Sequence, residues 1–426
     1  MFKRILIISY YWPPSGGGGV QRWLKLSKYL PKSIIPVIYT PSNPPFVIKD
    51  TSLLRDIRPH MEVWKKPIKQ PHRCLFKKKI KAYQGVQQGH PLIRFLGANL
   101  FIPDSKILWK KDSLNFLLGQ LKKTHIDLLI STGPPHSMHL LAEEIKKKTK
   151  IPWIADFRDN WTDWEVIQEL PLLPLIRRRH HKLEKRVVQT CDGLITISPN
   201  WSQKFREKGA QNVFNMPNGF DPEDIPNPFP KAPKQKFRLV HMGMLNLKRS
   251  HSFWKALNSL MNSYPEIKTE LEITLGGEIA EDLKDFLYQE SDLYEKVKYI
   301  GYVKHQEVFK NYAQGHVNLV FSHTGKDAQG HIPGKLLECL AIPRPLLFLG
   351  DPQGDASQVL NKYPNPYIHI TQLHQVQDIQ HALLELFQKR HTNISTQAIE
   401  NLKSYNRQYQ AENLARWINN IQKPKT

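Results

Sequence analysis

The chain is poor in cysteine, in acid and in long apolar runs, and each shortage removes a class of protein. Three cysteines in 426 residues, Cys74, Cys191 and Cys339, stand far apart, with neither the paired spacing of a zinc site nor the density of a disulfide scaffold. A reducing, cytoplasmic setting is therefore expected. No metal and no cofactor are expected for the chain's chemistry. No apolar stretch approaches the roughly 20 residues that a membrane-spanning helix needs. The run at 5–8 follows two basic residues, as in a signal peptide, but breaks at Tyr10-Tyr11-Trp12-Pro13-Pro14 without a small-residue cleavage site. It reads as a first strand. Zinc-finger spacing, an RNP motif and a homeodomain-like helix are also missing, so nucleic acid is not expected as a partner.

The shortage of acid is the loudest feature. Asp and Glu total 38 against 61 Lys and Arg, a formal charge of +23. Such an excess favours polyanions, whether nucleic acid, an acidic membrane face or phosphorylated small molecules. Residues 65–81, KKPIKQPHRCLFKKKIK, hold no acid, and RRRHHKLEKR at 177–186 follows the apolar PLLPLI. Both mix basic with aliphatic residues, as interfacial segments do, so an anionic membrane surface is an expected partner. A merely solvated basic face is the alternative. With 40% hydrophobic and 10% aromatic residues, the chain is globular and long enough for two cores.

Residues 3–10, KRILIISY, form a continuous apolar run suited to a strand of a parallel sheet. Four glycines, 16–19, then lead into helical apolar spacing at 20–30. Strand, glycine loop and helix bring backbone N–H groups close to a phosphate or sugar. Neither G-x-G-x-x-G nor Gly-Lys-Ser/Thr is present, so the loop is neither a dinucleotide fingerprint nor a P-loop. Residues 35–40 read as a second strand and 41–110 as an irregular, basic, aromatic excursion. A strand at 126–131 ends near His136 and His139, where open parallel sheets gather their ligands. His136 is a candidate for an acceptor role, while His139 reads as a packed residue of the following helix. A strand at 152–155 runs into Asp156-Phe157-Arg158-Asp159-Asn160-Trp161-Thr162. Charges beside a sheet core need partners, so these three are either an internal loop-shaping pair or part of a reactive centre. Helix is expected at 183–190 and strand with turn at 192–199. A Pro-rich linker spans 222–236. The second half repeats strand and helix from 237, with an exit loop at 243–250 and a helix over 253–264.

Residues 327–345, DAQGHIPGKLLECLAIPRP, open a short helix after Pro333-Gly334. A helix start and Lys335 suit a phosphate, and Glu338, three residues on, suits a vicinal diol. A solvated i,i+3 pair is the other reading. Strand–helix alternation in two halves argues for two doubly wound α/β domains.

These segments resemble family 4 (group 1) glycosyltransferases, retaining enzymes of the GT-B fold, and most closely the bacterial branch with D-F-R-D-x-W-T and P-x-K-x-x-E patterns. The resemblance implies two Rossmann-like domains facing a central cleft: 1–221 on the acceptor side, with helix 404–421 crossing back onto it, a linker at 222–236, and 237–403 binding the donor. It implies nucleotide-sugar donor contacts at Gly17, Gly18, Lys248, Arg249, Pro333, Gly334, Lys335 and Glu338. A catalytic group of His136, Asp156, Arg158 and Asp159 follows, without metal. The implied acceptor is a glycan or lipid-linked molecule of bacterial cell-surface polysaccharide synthesis, met by a peripheral protein at the cytoplasmic face of the inner membrane. Three positions depart from the family pattern: Gly330 where a first glutamate stands, Met244 for an arginine, and Arg158 for a histidine. A nucleotide-sugar epimerase and a degenerate transferase acting as a membrane- or polyanion-binding scaffold remain as alternatives.

Overall fold

The computed structural model describes residues 3–44, 48–68, 91–323, 326–362, 368–391 and 402–421. The chain divides into two compact units, Met1–Pro217 with Gln408–Thr426, and Asn218–Arg407.

In the first unit seven strands form one sheet: β1 (Lys3–Ile8), β2 (Ile34–Pro41), β3 (Glu62–Lys66), β4 (Leu128–Gly133), β5 (Trp153–Phe157), β6 (Gly193–Thr196) and β7 (Val213–Asn215). Their order is β3-β2-β1-β4-β5-β6-β7, and every pairing is parallel. The central strands are buried and mostly apolar because helices cover both faces of the sheet, with Ser131, Thr132 and Asp156 as buried polar exceptions near their carboxyl ends. Order reverses between β1 and β4, which makes their carboxyl ends the place where ligands of doubly wound sheets gather.

The second unit repeats the plan with β8 (Phe237–Met242), β9 (Leu271–Gly276), β10 (Val297–Gly301), β11 (Val317–Phe321), β12 (Leu346–Leu349) and β13 (Ile368–Thr371), ordered β10-β9-β8-β11-β12-β13. Its switch point lies between β8 and β11. Each unit has its own core. Trp153, Phe157, Trp161 and Trp201 lie in one of the first unit's clusters, and Phe253, Trp254 and Phe387 in one of the second's.

Several boundaries shift from those read in the sequence, each for a local reason. β5 extends through Asp156 to Phe157, because partners for the Asp156 carboxylate let the strand continue past it. The helix expected over 253–264 is Leu247–Ser263, since Asn246 caps it by accepting from the Arg249 N–H at 3.1 Å. The 183–190 helix begins at Pro174, and proline suits a first turn. The excursion 41–110 is not wholly irregular. It holds β3 and the helix Pro91–Leu100. In EVWKK only Val63 and Trp64 are apolar, so this edge strand carries no signal beyond its pairing with β2. Of the basic stretch 65–81, residues 69–81, including Cys74, lie outside the described residues; Cys191 and Cys339 are free and buried.

The helix Arg407–Ile421 packs in the first unit, with Ala411, Leu414, Ala415 and Ile418 joining the cluster of Ile5, Trp23 and Ile195. Trp417 stacks on Phe214 at 4.9 Å. A Cβ on Gly193 would lie 2.8 Å from Ile421 Cδ1 and 2.9 Å from the Trp417 ring.

Candidate functional site

In the first unit the glycine loop leaves β1 at the switch point. Gly17 adopts φ 90°, which favours glycine, and begins the helix Gly18–Tyr29. A side chain at Gly18 would meet open space. A Cβ on Gly19 would lie 3.0 Å from the Tyr11 ring and 3.1 Å from Arg158 Nη1, so the tight position is one residue beyond the two singled out in the sequence.

Asp156 is fully buried. Its carboxylate accepts from Arg22 Nε at 3.1 Å, Arg22 Nη2 at 3.1 Å, Trp23 Nε1 at 2.7 Å and Thr132 Oγ1 at 2.8 Å. Arg22 continues to the Met216 and Pro217 carbonyls at 2.9 and 3.2 Å. Asp156 therefore ties the glycine-loop helix to β4 and β5, with its acceptor capacity consumed. Arg158 is occupied in the same way. Its guanidinium donates to the carbonyls of Gly19 at 2.8 Å, Gly133 at 3.3 Å and Pro134, stapling the glycine loop to the β4 exit.

Asp159 differs. It is partly exposed and makes no hydrogen bond or ion pair with another described residue. Burial pushes its carboxyl up, with Arg158 opposing. Beside it in sequence, Asn160 is 1% exposed, and its amide oxygen and nitrogen have no protein partner. His136 is buried and stacks flat on Trp161 at 4.8 Å, and burial holds its pKa well below the ordinary range. Its Nδ1 has no partner and lies 3.0 Å from where a Gly133 Cβ would be. His139 is a core residue. Its Nδ1 meets Ser131 Oγ at 2.8 Å, and burial pulls its pKa to about 3. Thus the structure leaves unpaired polar atoms on His136, Asp159 and Asn160, while Asp156 and Arg158 hold the frame.

In the second unit Gly243 ends the exit of β8 with φ 131°. Its lack of a side chain is used directly: an added Cβ would lie 1.5 Å from Lys335 Nζ and 2.2 Å from Lys335 Cε. The lysine lies across the glycine backbone. No hydrogen bond or ion pair joins its ammonium to a described residue, and burial lowers its pKa to about 8, with Arg249 adding to the fall and Glu338 opposing it. Below that shelf His241 donates from Nδ1 to the Leu319 carbonyl at 2.9 Å, so its tautomer is set, and burial pulls its pKa to about 3.

Glu338 likewise makes no ion pair with Lys335, so the two are not a solvated i,i+3 pair. Burial raises its pKa, with His305, Lys335 and Arg407 opposing and Asp224 adding. His305 Nε2 meets Asp224 Oδ2 at 2.9 Å beside it. Arg249 Nη2 meets His323 Nδ1 at 2.5 Å, where β11 ends. Lys248 is exposed on the same helix turn, and Arg249 is the member of the pair that acts on Lys335. Pro333 stands at the N-cap of the seven-residue helix Gly334–Leu340, and a Cβ added at Gly334 would lie 3.7 Å from the Asn218 side chain. Met244 is 44% exposed, and Gly330 is buried.

Two further glycines continue the shelf. The Gly243 N–H donates to the Gly276 carbonyl and the Gly277 N–H to the Gly301 carbonyl, both at 2.6 Å. Gly277 and Gly301 also have positive φ, and a Cβ on Gly277 would lie 2.6 Å from the Gly243 carbonyl oxygen. Glycine exits from β8 and β9 thus lie close together with Lys335 across the first of them, and at the β10 exit a side chain on Gly301 would meet open space. Gly19, Arg22, Gly243 and Gly277 were not among the residues chosen from sequence. Arg22 and Gly243 each follow a recognised strand, but their roles depend on which distant side chain arrives there.

Among the described residues no group of three or more His, Cys, Asp or Glu is placed to hold a metal ion, and no helix is long and apolar enough to cross a membrane.

No family model matches the chain, and no curated protein matches it in sequence. Solved structures do. Sucrose-phosphate synthase from Thermosynechococcus elongatus superposes with a TM-score of 0.67 at 12% identity, over 98% of this chain and 99% of that one. The lipopolysaccharide outer core galactosyltransferase WaaB gives 0.59 at 12%, over 98% and 99%. A UDP-N-acetylglucosamine 2-epimerase from Listeria monocytogenes, named as putative, gives 0.56 at 9%, over 97% and 95%. At these identities the likeness shows the fold, the α/β GT-B fold with two doubly wound, Rossmann-like units.

Proposed function

We propose that the chain is a glycosyltransferase of the family 4 kind, which moves a sugar from a nucleotide-sugar donor to a glycan or lipid-linked acceptor. The observation that carries this reading is the arrangement of Lys335 over Gly243 with Glu338 beside it. An ammonium without a protein partner, a nearby arginine and an unpaired carboxylate match a diphosphate followed by a ribose diol. The GT-B fold supports it, and so does the placement of both groups of residues at carboxyl ends of strands.

In the transfer, the bond between the sugar anomeric carbon and the diphosphate oxygen breaks, and the bonding pair leaves with the diphosphate. A hydroxyl of the acceptor forms the new bond and passes its proton to the departing diphosphate. Negative charge grows on the leaving oxygen, so Lys335 and Arg249, with Lys248 and the backbone at Pro333 and Gly334, act where the charge develops. Glu338 holds the ribose hydroxyls. Asp159 and His136, whose polar atoms are unengaged, bind sugar hydroxyls, while Asp156 and Arg158 keep the Gly17–Gly18 loop in place. The reaction proposed is retaining and metal-independent. Its setting is bacterial cell-surface polysaccharide synthesis, by a protein held peripherally at the cytoplasmic membrane face. WaaB, a lipopolysaccharide galactosyltransferase, shares the fold.

Thermal unfolding with UDP, GDP, ADP and CMP and their sugar conjugates tests the donor site. One nucleotide family at about 100 times its dissociation constant is expected to add roughly 2.7 kcal/mol, and Glu338→Ala to remove most of that gain. No response to any nucleotide in the native protein would refute the reading and leave the scaffold alternative. An epimerase would instead transform a nucleotide sugar with no acceptor present.

Lys335 supplies a pH signature. Its folded pKa of about 8 lies below the ordinary 10.5, so between these values the unfolded chain binds more protons. Stability from this group therefore rises with pH across that window, and the cost of burying the charge is present in full below it. A bound diphosphate reverses the shift. Nucleotide diphosphate binding at about pH 8.5 should take up a proton and weaken as pH climbs further. Calorimetry in two buffers of different ionisation enthalpy should show this uptake in the native protein and not in Lys335→Gln.

A further inference from the structure

We propose that the helix Pro91–Leu100 and the outer face of the helix Pro174–Thr190 form one docking surface for an anionic lipid bilayer. The inference extends the reading of a protein held at a membrane by naming the residues that would touch it. It uses no residue assigned to the sugar site.

Leu92, Leu96 and Leu100 recur every four residues, so they project from one side of their helix, and they are 58%, 45% and 69% exposed. Leu173 and Leu175, at the start of the second helix, are 48% and 73% exposed. The two stripes are fastened together. Asn99 Nδ2 donates to the Pro171 carbonyl at 2.9 Å, and its Oδ1 accepts from the Leu173 N–H at 2.9 Å. Arg94 Nη2 donates to the Glu169 carbonyl at 2.8 Å. Five exposed leucines on two hydrogen-bonded segments are more apolar surface than scattered side chains explain.

Charge decides the occupant. Behind Leu175 the exposed residues include Arg178, Arg179, Lys182 and Lys185, and none of these four forms an ion pair with a described residue. The only acid in that helix, Glu184, points inward, accepting from Thr162 Oγ1 at 2.5 Å and Lys208 Nζ at 3.0 Å. His180 is inward too, accepting from Trp161 Nε1 at 3.0 Å. The inner face is therefore anchored to the D-x-W-T segment, and the outer face offers cations alone. Leucines set beside unpaired cations suit a surface with an apolar interior and a phosphate rim. A second copy of this chain, itself strongly cationic, fits the surface less well.

Flotation of the full chain with vesicles tests this. Binding is expected to phosphatidylcholine vesicles that contain phosphatidylglycerol, to weaken with salt, and to be slight on phosphatidylcholine alone. The pair Leu96→Glu with Leu175→Glu should weaken it about tenfold or more, and Arg178→Gln, Arg179→Gln and Lys182→Gln together should remove the preference for anionic lipid. Unchanged vesicle binding in these variants overturns the proposal. So does sedimentation velocity showing that the leucine variants dissociate a dimer while vesicle binding stays the same. If the leucine pair unfolds, the exposed cation set still decides the matter. Nucleotide-induced stabilisation is measured on the same proteins. Its absence with vesicle binding intact would remove the proposed transferase and leave this surface standing.

Discussion

Asp156→Ala is expected to destabilise the first unit by about 3–5 kcal/mol, whereas Asp159→Asn, three residues away, leaves stability nearly unchanged and slows turnover. The contrast follows from partners. Removing the Asp156 carboxylate strands a buried guanidinium, the indole N–H of Trp23 and the hydroxyl of Thr132, none of which can reach water. The first thermal transition should fall by on the order of 10 °C. Asp159 has no such dependants, so Asn in its place keeps the shape and loses only the charge. With a working donor and acceptor, kcat/KM should fall by about tenfold to a hundredfold, the worth of a hydrogen bond to a charged group. Circular dichroism melts and initial rates on the two variants check both halves. The reverse pattern, a stable Asp156→Ala and an unstable Asp159→Asn, would show that the roles are assigned the wrong way round.

The second large effect is expected from Gly243→Ala. A methyl group there meets strain at φ 131° and occupies space held by the Lys335 ammonium, 1.5 Å away. Strain of this kind costs about 1–3 kcal/mol, and the displaced lysine should take nucleotide binding with it. Separating the two needs Lys335→Ala and the double variant. If the lysine occupies the glycine's missing side chain, Gly243→Ala should cost less stability in the Lys335→Ala background, because only the backbone strain remains. Equal costs in both backgrounds would mean that the lysine leaves easily and that the glycine serves conformation alone.

These cases show where sequence was legible and where it stopped. Strand and helix alternation set out two doubly wound units, because buried parallel strands have to be apolar along their whole length. The glycine loop and the D-F-R-D stretch were visible as departures from that rule. Their division of labour was not. A carboxylate near a strand end reads alike whether it faces a ligand or an arginine, and Arg22 lies 134 residues from Asp156. The i,i+3 spacing of Lys335 and Glu338 left two readings open, and what separates them is Gly243, contributed by another strand. β3 escaped because an edge strand pairs through its backbone, and the side chains of EVWKK carry little of the signal.

The path of the chain has a consequence for its synthesis. The first unit needs the helix Arg407–Ile421, which is translated after every residue of the second unit. While the ribosome works through those residues, the surface around Ile5, Trp23 and Ile195 that this helix shares waits without its cover. The unit begun first is therefore finished last, and the nascent chain carries an uncapped apolar face past a completed neighbour. That interval is when a holding chaperone has most to protect and when aggregation has its best opportunity.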